Sequence, residues 1–107
     1  MRLFPSDRYP LPLPVGHRFP VMKYAALRRR LEGHAADGVG FEFVEPHAAT
    51  DDELLRVHDQ AYLGRVFSGT LAPAEVRRIG FPWSMALVER SLRSTGAAVD
   101  AAAAALA

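Results

Sequence analysis

SMALVERSLRSTGAAVDAAAAALA, residues 84–107, repeats apolar side chains at Met85, Val88, Leu92, Val99 and Leu106 along one helical stripe. Glu89 and Arg93 form a favourable four-residue pair on the same expected helix. Its last part, GAAVDAAAAALA, carries no glycine cap, no basic final turn and no breaker. A helix of this kind needs strands to pack against, and upstream only Arg2–Phe4 and Phe41–Val44 read as strands. Two strands do not make an independently stable sheet. Strands separated by helical segments predict an α/β architecture with a parallel sheet flanked by helices, incomplete in this chain. Residues 1–107 are therefore expected to be the opening part of one larger domain.

The remaining segments follow from local signals. PSDRYPLPLPVGHRFP, residues 5–20, is rich in proline and predicts an ordered extended loop. Val21, Tyr24, Leu27 and Leu31 predict an amphipathic helix from about Val21 to Glu32, ended by Gly33. Arg28, Arg29 and Arg30 fall mainly on its outer side, as a solvated face or a basic patch. Nothing aromatic is interleaved with them to stack on bases. HAADGVG, residues 34–40, reads as a turn-rich connection. In TDDELLRVH, Thr50 and Glu53 form a capping box for a helix carrying Leu54, Leu55 and His58. A second short turn carries Tyr62, Leu63, Val66 and Phe67, and Pro73 suits the first turn of another short helix.

Composition narrows the function classes. Of the 107 residues 50% are hydrophobic and 23% charged, a globular balance with one modest core. A net charge of +1 gives no field that would draw nucleic acid or an acidic membrane. The chain has no cysteine, which excludes disulfides and thiolate metal sites. The N-terminus lacks the pattern of a signal peptide, and Asp100 interrupts the alanine tail, so a cytoplasmic location is expected.

The chemistry-bearing residues concentrate in LLRVHDQAYLGRV, Leu54–Val66. His58 and Tyr62 share a face of a regular helix, whereas Asp59 lies about 100° away from His58. His58 is either a packed histidine stabilising a local turn or a direct catalytic group. His17, His34, His47 and His58 show no His-x-x-x-His spacing. The His58–Asp59 pair alone would suit a metal phosphohydrolase, which needs further ligands for a binuclear cage. There is no phosphate-cradling glycine loop and no serine nucleophile elbow.

Three blocks in order carry a resemblance: GHRFPVMKYAALRRRLE, VEPHAATDDELLRVHDQAYLGRVFSGTL and RRIGFPWSMALVERSLRSTGAAVDAAAAAL. Together they resemble the N-terminal part of the histone deacetylase superfamily, nearest its bacterial and class IV-like branch of acetoin-utilisation and acetylpolyamine deacetylase relatives. That resemblance implies the N-terminal portion of an arginase/deacetylase-like α/β fold. It also implies a zinc-dependent hydrolysis of an acetylated amine to free amine and acetate. The zinc ligands and the catalytic histidine and tyrosine are implied to come from later motifs, so this chain holds no catalytic or metal residue and binds no zinc itself. His58 and Tyr62 match a His-x-x-x-Tyr-Leu block that is scaffold in that superfamily. Arg18 matches an arginine lining an internal channel beneath the pocket, with fixation of the proline-rich loop as its other reading. Phe81, Pro82 and Trp83 match the loop at the substrate entrance, where many relatives carry an aspartate that GFPWS lacks; for Trp83 the alternative is an aromatic plug. A reading from another class is a non-catalytic helical interaction module using Arg28–Arg30 and the stripe of the last helix.

Overall fold

The computed structural model describes residues 1–36, 38 and 40–107. Two short strands, β1 (Arg2–Leu3) and β2 (Glu42–Phe43), pair in parallel with Arg2 opposite Glu42 and Leu3 opposite Phe43. Among the described residues five helices account for more than half the chain: α1 (Lys23–Ala36), α2 (Asp51–Leu55), α3 (Gln60–Ser68), α4 (Pro73–Ile79) and α5 (Met85–Leu106).

The expected α/β fold, a portion of an arginase/deacetylase-like domain, is not what the chain forms. It is mostly helical, and its described sheet is this one pair of two-residue strands. Pro5 follows the first strand closely and Pro46 the second, and a residue without an N–H cannot extend a ladder.

Local signals explain the helix starts. Thr50 accepts from the Glu53 amide at 3.2 Å while Glu53 accepts from the Thr50 amide at 2.9 Å, closing the capping box on α2. Asp59 caps α3 by accepting from the Ala61 amide at 2.9 Å. Pro73 opens α4, and Glu75 reaches back to the Ala72 amide at 3.0 Å. Ser84 caps α5 through the Leu87 amide at 3.0 Å. Two boundaries differ from expectation. Gly33 does not end α1, which continues to Ala36 and takes His34–Ala36 from the expected turn; Asp37 and Val39 of that turn lie outside the described residues. His58 lies beyond α2, which ends at Leu55, so His58 and Tyr62 do not share one helix.

Burial also departs from the apolar patterns. Arg28 turns inward, bonding Asp7 at 3.0 Å and lying over the Phe43 ring at 4.6 Å, while Leu27 is exposed. On α5, Val88 and Leu87 are buried, but Met85, Val99 and Leu106 of the expected stripe are exposed. Ala49, Leu54 and Leu63 form the core cluster, with Tyr62 and Leu92 packed against it. α5 is the spine: its middle holds the Pro46–Ala49 segment, whose Ala49 amide donates to the Leu92 carbonyl at 3.0 Å.

Candidate functional site

Three groups of side chains gather along α5. The first joins the proline-rich loop to the α4–α5 connection. The His17 ring stacks on Phe81 at 5.7 Å, and Phe19 meets Phe81 edge-on at 5.1 Å. His17 Nδ1 accepts from the Phe19 amide at 3.1 Å, so Nε2 carries the proton and donates to the Gly80 carbonyl at 3.2 Å. Both ring nitrogens are engaged in holding the loop. Arg18, next in the chain, is exposed to solvent. Pro82 is exposed as well, whereas Phe81 is half-buried.

The second group surrounds Trp83. Its indole N–H donates to the Val66 carbonyl at 2.7 Å, tying the start of α5 to the last turn of α3. Gly69, in the left-handed conformation at φ 73°, ends that turn, and a Cβ there would stand 2.9 Å from the Trp83 ring. Trp83, His58, Tyr62, Leu63 and Leu87 line a cavity of about 260 Å³ that is mainly apolar. His58 and Tyr62 meet there with ring centroids 5.7 Å apart. Asp59, their neighbour, points its carboxylate at the Ala61 amide as a helix cap, so no His–Asp–Tyr constellation forms. That geometry offers a packing surface rather than acid–base chemistry, and it removes the carboxylate a phosphohydrolase reading would need.

The third group was not legible in the sequence. His47 stands between two carboxylates: Nδ1 lies 2.8 Å from Asp100 Oδ1 and Nε2 lies 2.8 Å from Glu53 Oε1. Asp100 Oδ2 also accepts from the His47 amide at 3.1 Å. Because both partners are acceptors, the arrangement is satisfied only by a ring that donates from both nitrogens, the imidazolium. Hydrogen bonding to Asp100 first, then to Glu53, accordingly holds the His47 pKa above its ordinary value. Asp100 is lowered by the His47 ring. Glu53 is lowered to about 2, by the Thr50 amide first and then by His47. Alongside, Arg93 donates to the Pro46 carbonyl at 2.7 Å and pairs with Glu89 at 3.1 Å. Glu53 lies only six positions after His47, but Asp100 lies 53 positions away, and its one local sign was a lone acid in an alanine run one helical turn after Gly96.

Zinc does not fit the described residues of this chain. Among them no group of three or more histidine, cysteine or acidic side chains is placed to hold a metal ion. In the His47 cluster each ring nitrogen faces a different carboxylate, so the donor atoms do not converge on one point. No helix is long and apolar enough to cross a membrane among the described residues.

Comparison with known proteins adds one relative. No family model matches the chain. It is 36% identical over 93 residues to an uncharacterized protein of Picosynechococcus sp., an alignment covering 85% of this chain and 30% of that protein. The chain thus spans about 30% of the length of the relative it matches.

Proposed function

We propose that this chain is the N-terminal supporting part of a longer zinc-dependent deacetylase related to the histone deacetylase superfamily. Its substrate would be an acetylated amine, such as acetyl-lysine or an acetylpolyamine, hydrolysed to amine plus acetate. What supports this most is the packing of the three resembling blocks on one another: His17 and Phe19 on Phe81, and Trp83 on the helix that follows His58. Alignment to less than a third of a longer relative is in keeping with it. The metal ligands and catalytic groups would then lie outside residues 1–107, the protein would be cytoplasmic, and neither nucleic acid nor membrane would be a partner.

The test has two arms. The reading frame after the Ala107 codon is expected to encode a Gly-Gly-x-His-His segment and then an Asp-x-His pair. The complete protein is expected to release acetate from acetyl-lysine or acetylpolyamine in a zinc-dependent way, while the 107-residue chain is inert. A stop codon directly after Ala107, or zinc-dependent hydrolysis by the 107 residues alone, would overturn the proposal.

A second reading, a non-catalytic helical interaction module, is favoured by the exposed Met85, Val99 and Leu106 on α5. Arg28 would not belong to its contact surface, because it is engaged with Asp7 and Phe43. A molten or aggregating 107-residue chain would count against that module.

A further inference from the structure

We propose that the cavity beside Arg90 is a binding site for a small carboxylate with an aromatic body. Arg90 is only 7% exposed, in the middle of α5. A buried guanidinium is costly unless a counter-charge or a full set of acceptors meets it. Among the described residues no carboxylate lies within ion-pair distance of it. Its partners are the Tyr9 carbonyl, which accepts from Nη1 at 2.7 Å, and the Tyr24 ring, 4.3 Å from the guanidinium carbon. No fully buried side-chain nitrogen is left without a hydrogen bond, so Nε and Nη2 retain accessible area. Arg90 lines a cavity of about 360 Å³ between α5, the proline-rich loop and the α4–α5 connection.

The walls of that cavity specify the rest of the ligand. Phe19, Tyr24 and Phe81 contribute aromatic surface, and Leu11 and Leu87 contribute aliphatic surface. Ser94 and Thr95 offer hydroxyls on the α5 side. An apolar cavity of ~150 Å³ accommodates benzene, so this one has room for a ring plus a charged group. A carboxylate suits the planar guanidinium fork, and an aromatic ring suits the T-shaped environment already made by Phe19 and Phe81. The site adjoins the His58–Tyr62 cavity, with Ile79, Leu87, Ser91 and Thr95 lining both, and is independent of any deacetylase chemistry.

The test is titration of the complete protein with phenylacetate and with its neutral isostere phenylacetamide, followed by calorimetry and amide NMR. The carboxylate is expected to bind at least about tenfold tighter than the amide, as a charge-assisted bond to arginine implies. Amide shifts should concentrate at Phe81, Arg90, Ser94 and Thr95. Arg90→Gln is expected to abolish the preference while leaving weak binding of the amide. Equal affinity for the two probes, absence of binding by either, or shifts confined to another surface would each overturn the proposal. Should Arg90→Gln fail to fold, the comparison of the two probes on the wild-type protein decides alone.

Discussion

At Gly96 a hydrogen is all the space allows. A Cβ there would run into the His47 backbone carbonyl, and the Ala49 amide is also close, at 3.2 Å. The obstacle is backbone held by the Ala49–Leu92 hydrogen bond, so it cannot rotate away as a side chain would. Gly96→Ala is therefore expected to destabilise the chain by about 3 kcal/mol, at the upper end of overpacking, as read by urea unfolding. His47 in the same segment makes stability depend on pH. Its folded pKa is raised, so its contribution is complete below the ordinary value of 6.5 and fades as pH climbs through the folded value. Asp100 and Glu53 are lowered, so theirs is complete above the ordinary 3.8 and 4.5 and fades as pH falls, for Glu53 toward about 2. The cluster stabilises most between about pH 4.5 and 6.5. The melting temperature is expected to peak there and to decline on both sides. His47→Gln should flatten that dependence, and an unchanged pH profile in this variant would show that the cluster contributes nothing.

Helices in this chain are set by their starts, and the starts were the part most legible in the sequence. α2 has five residues, too few for an isolated helix to persist, so the reciprocal Thr50–Glu53 bonds matter in proportion. Thr50→Ala is expected to cost about 1 kcal/mol, measured by denaturant unfolding. Thr50 and Pro73 could be read because a start signal acts within one turn of its own residue, whereas the Asp59 cap of α3 and the Ser84 cap of α5 were not read. The end of α1 could not be: Gly33 continues the helix, since a glycine weakens a helix without forbidding it. Tertiary partners hid the rest. Arg28 looked solvated until Asp7 and Phe43 are placed beside it, and Arg90 sits inside because it follows Leu87 by three positions on the buried face. Likewise the indole bond from Trp83 to Val66 joins α5 to α3 across residues that no local rule connects. Trp83→Phe removes that bond and also the outer indole ring that stands over Gly69. It is expected to destabilise by more than the roughly 1 kcal/mol of the hydrogen bond alone, in thermal or urea unfolding, with little change in helix content.

The whole molecule is a slab, 49 × 38 × 17 Å, with a radius of gyration of 15.8 Å. A compact domain of this length has a radius of about 13 Å. Thinness limits what can be buried: among the described residues Leu11, Ala49, Leu54, Leu63, Leu87 and Val88 are the buried hydrophobics, while Met22, Leu27, Val57, Met85 and Leu106 face out. The α/β expectation failed at this scale because hydrophobic periodicity tells which side of an element is apolar, not how many strands will meet it. Two strands of two residues leave α5 without a sheet to cover its far half. Few buried side chains mean a small hydrophobic contribution against the entropy of ordering 107 residues. The isolated chain is therefore expected to melt broadly, with a shallow denaturant slope, and to enhance the fluorescence of an apolar dye such as ANS. On the supporting-segment reading, a longer protein that lays further chain over α5 should melt sharply and leave the dye dark. This contrast separates the two functional readings. A supporting segment needs the remainder of its domain to become cooperative, whereas an interaction module folds on its own, so a sharp, dye-silent transition in the 107 residues alone would favour the module.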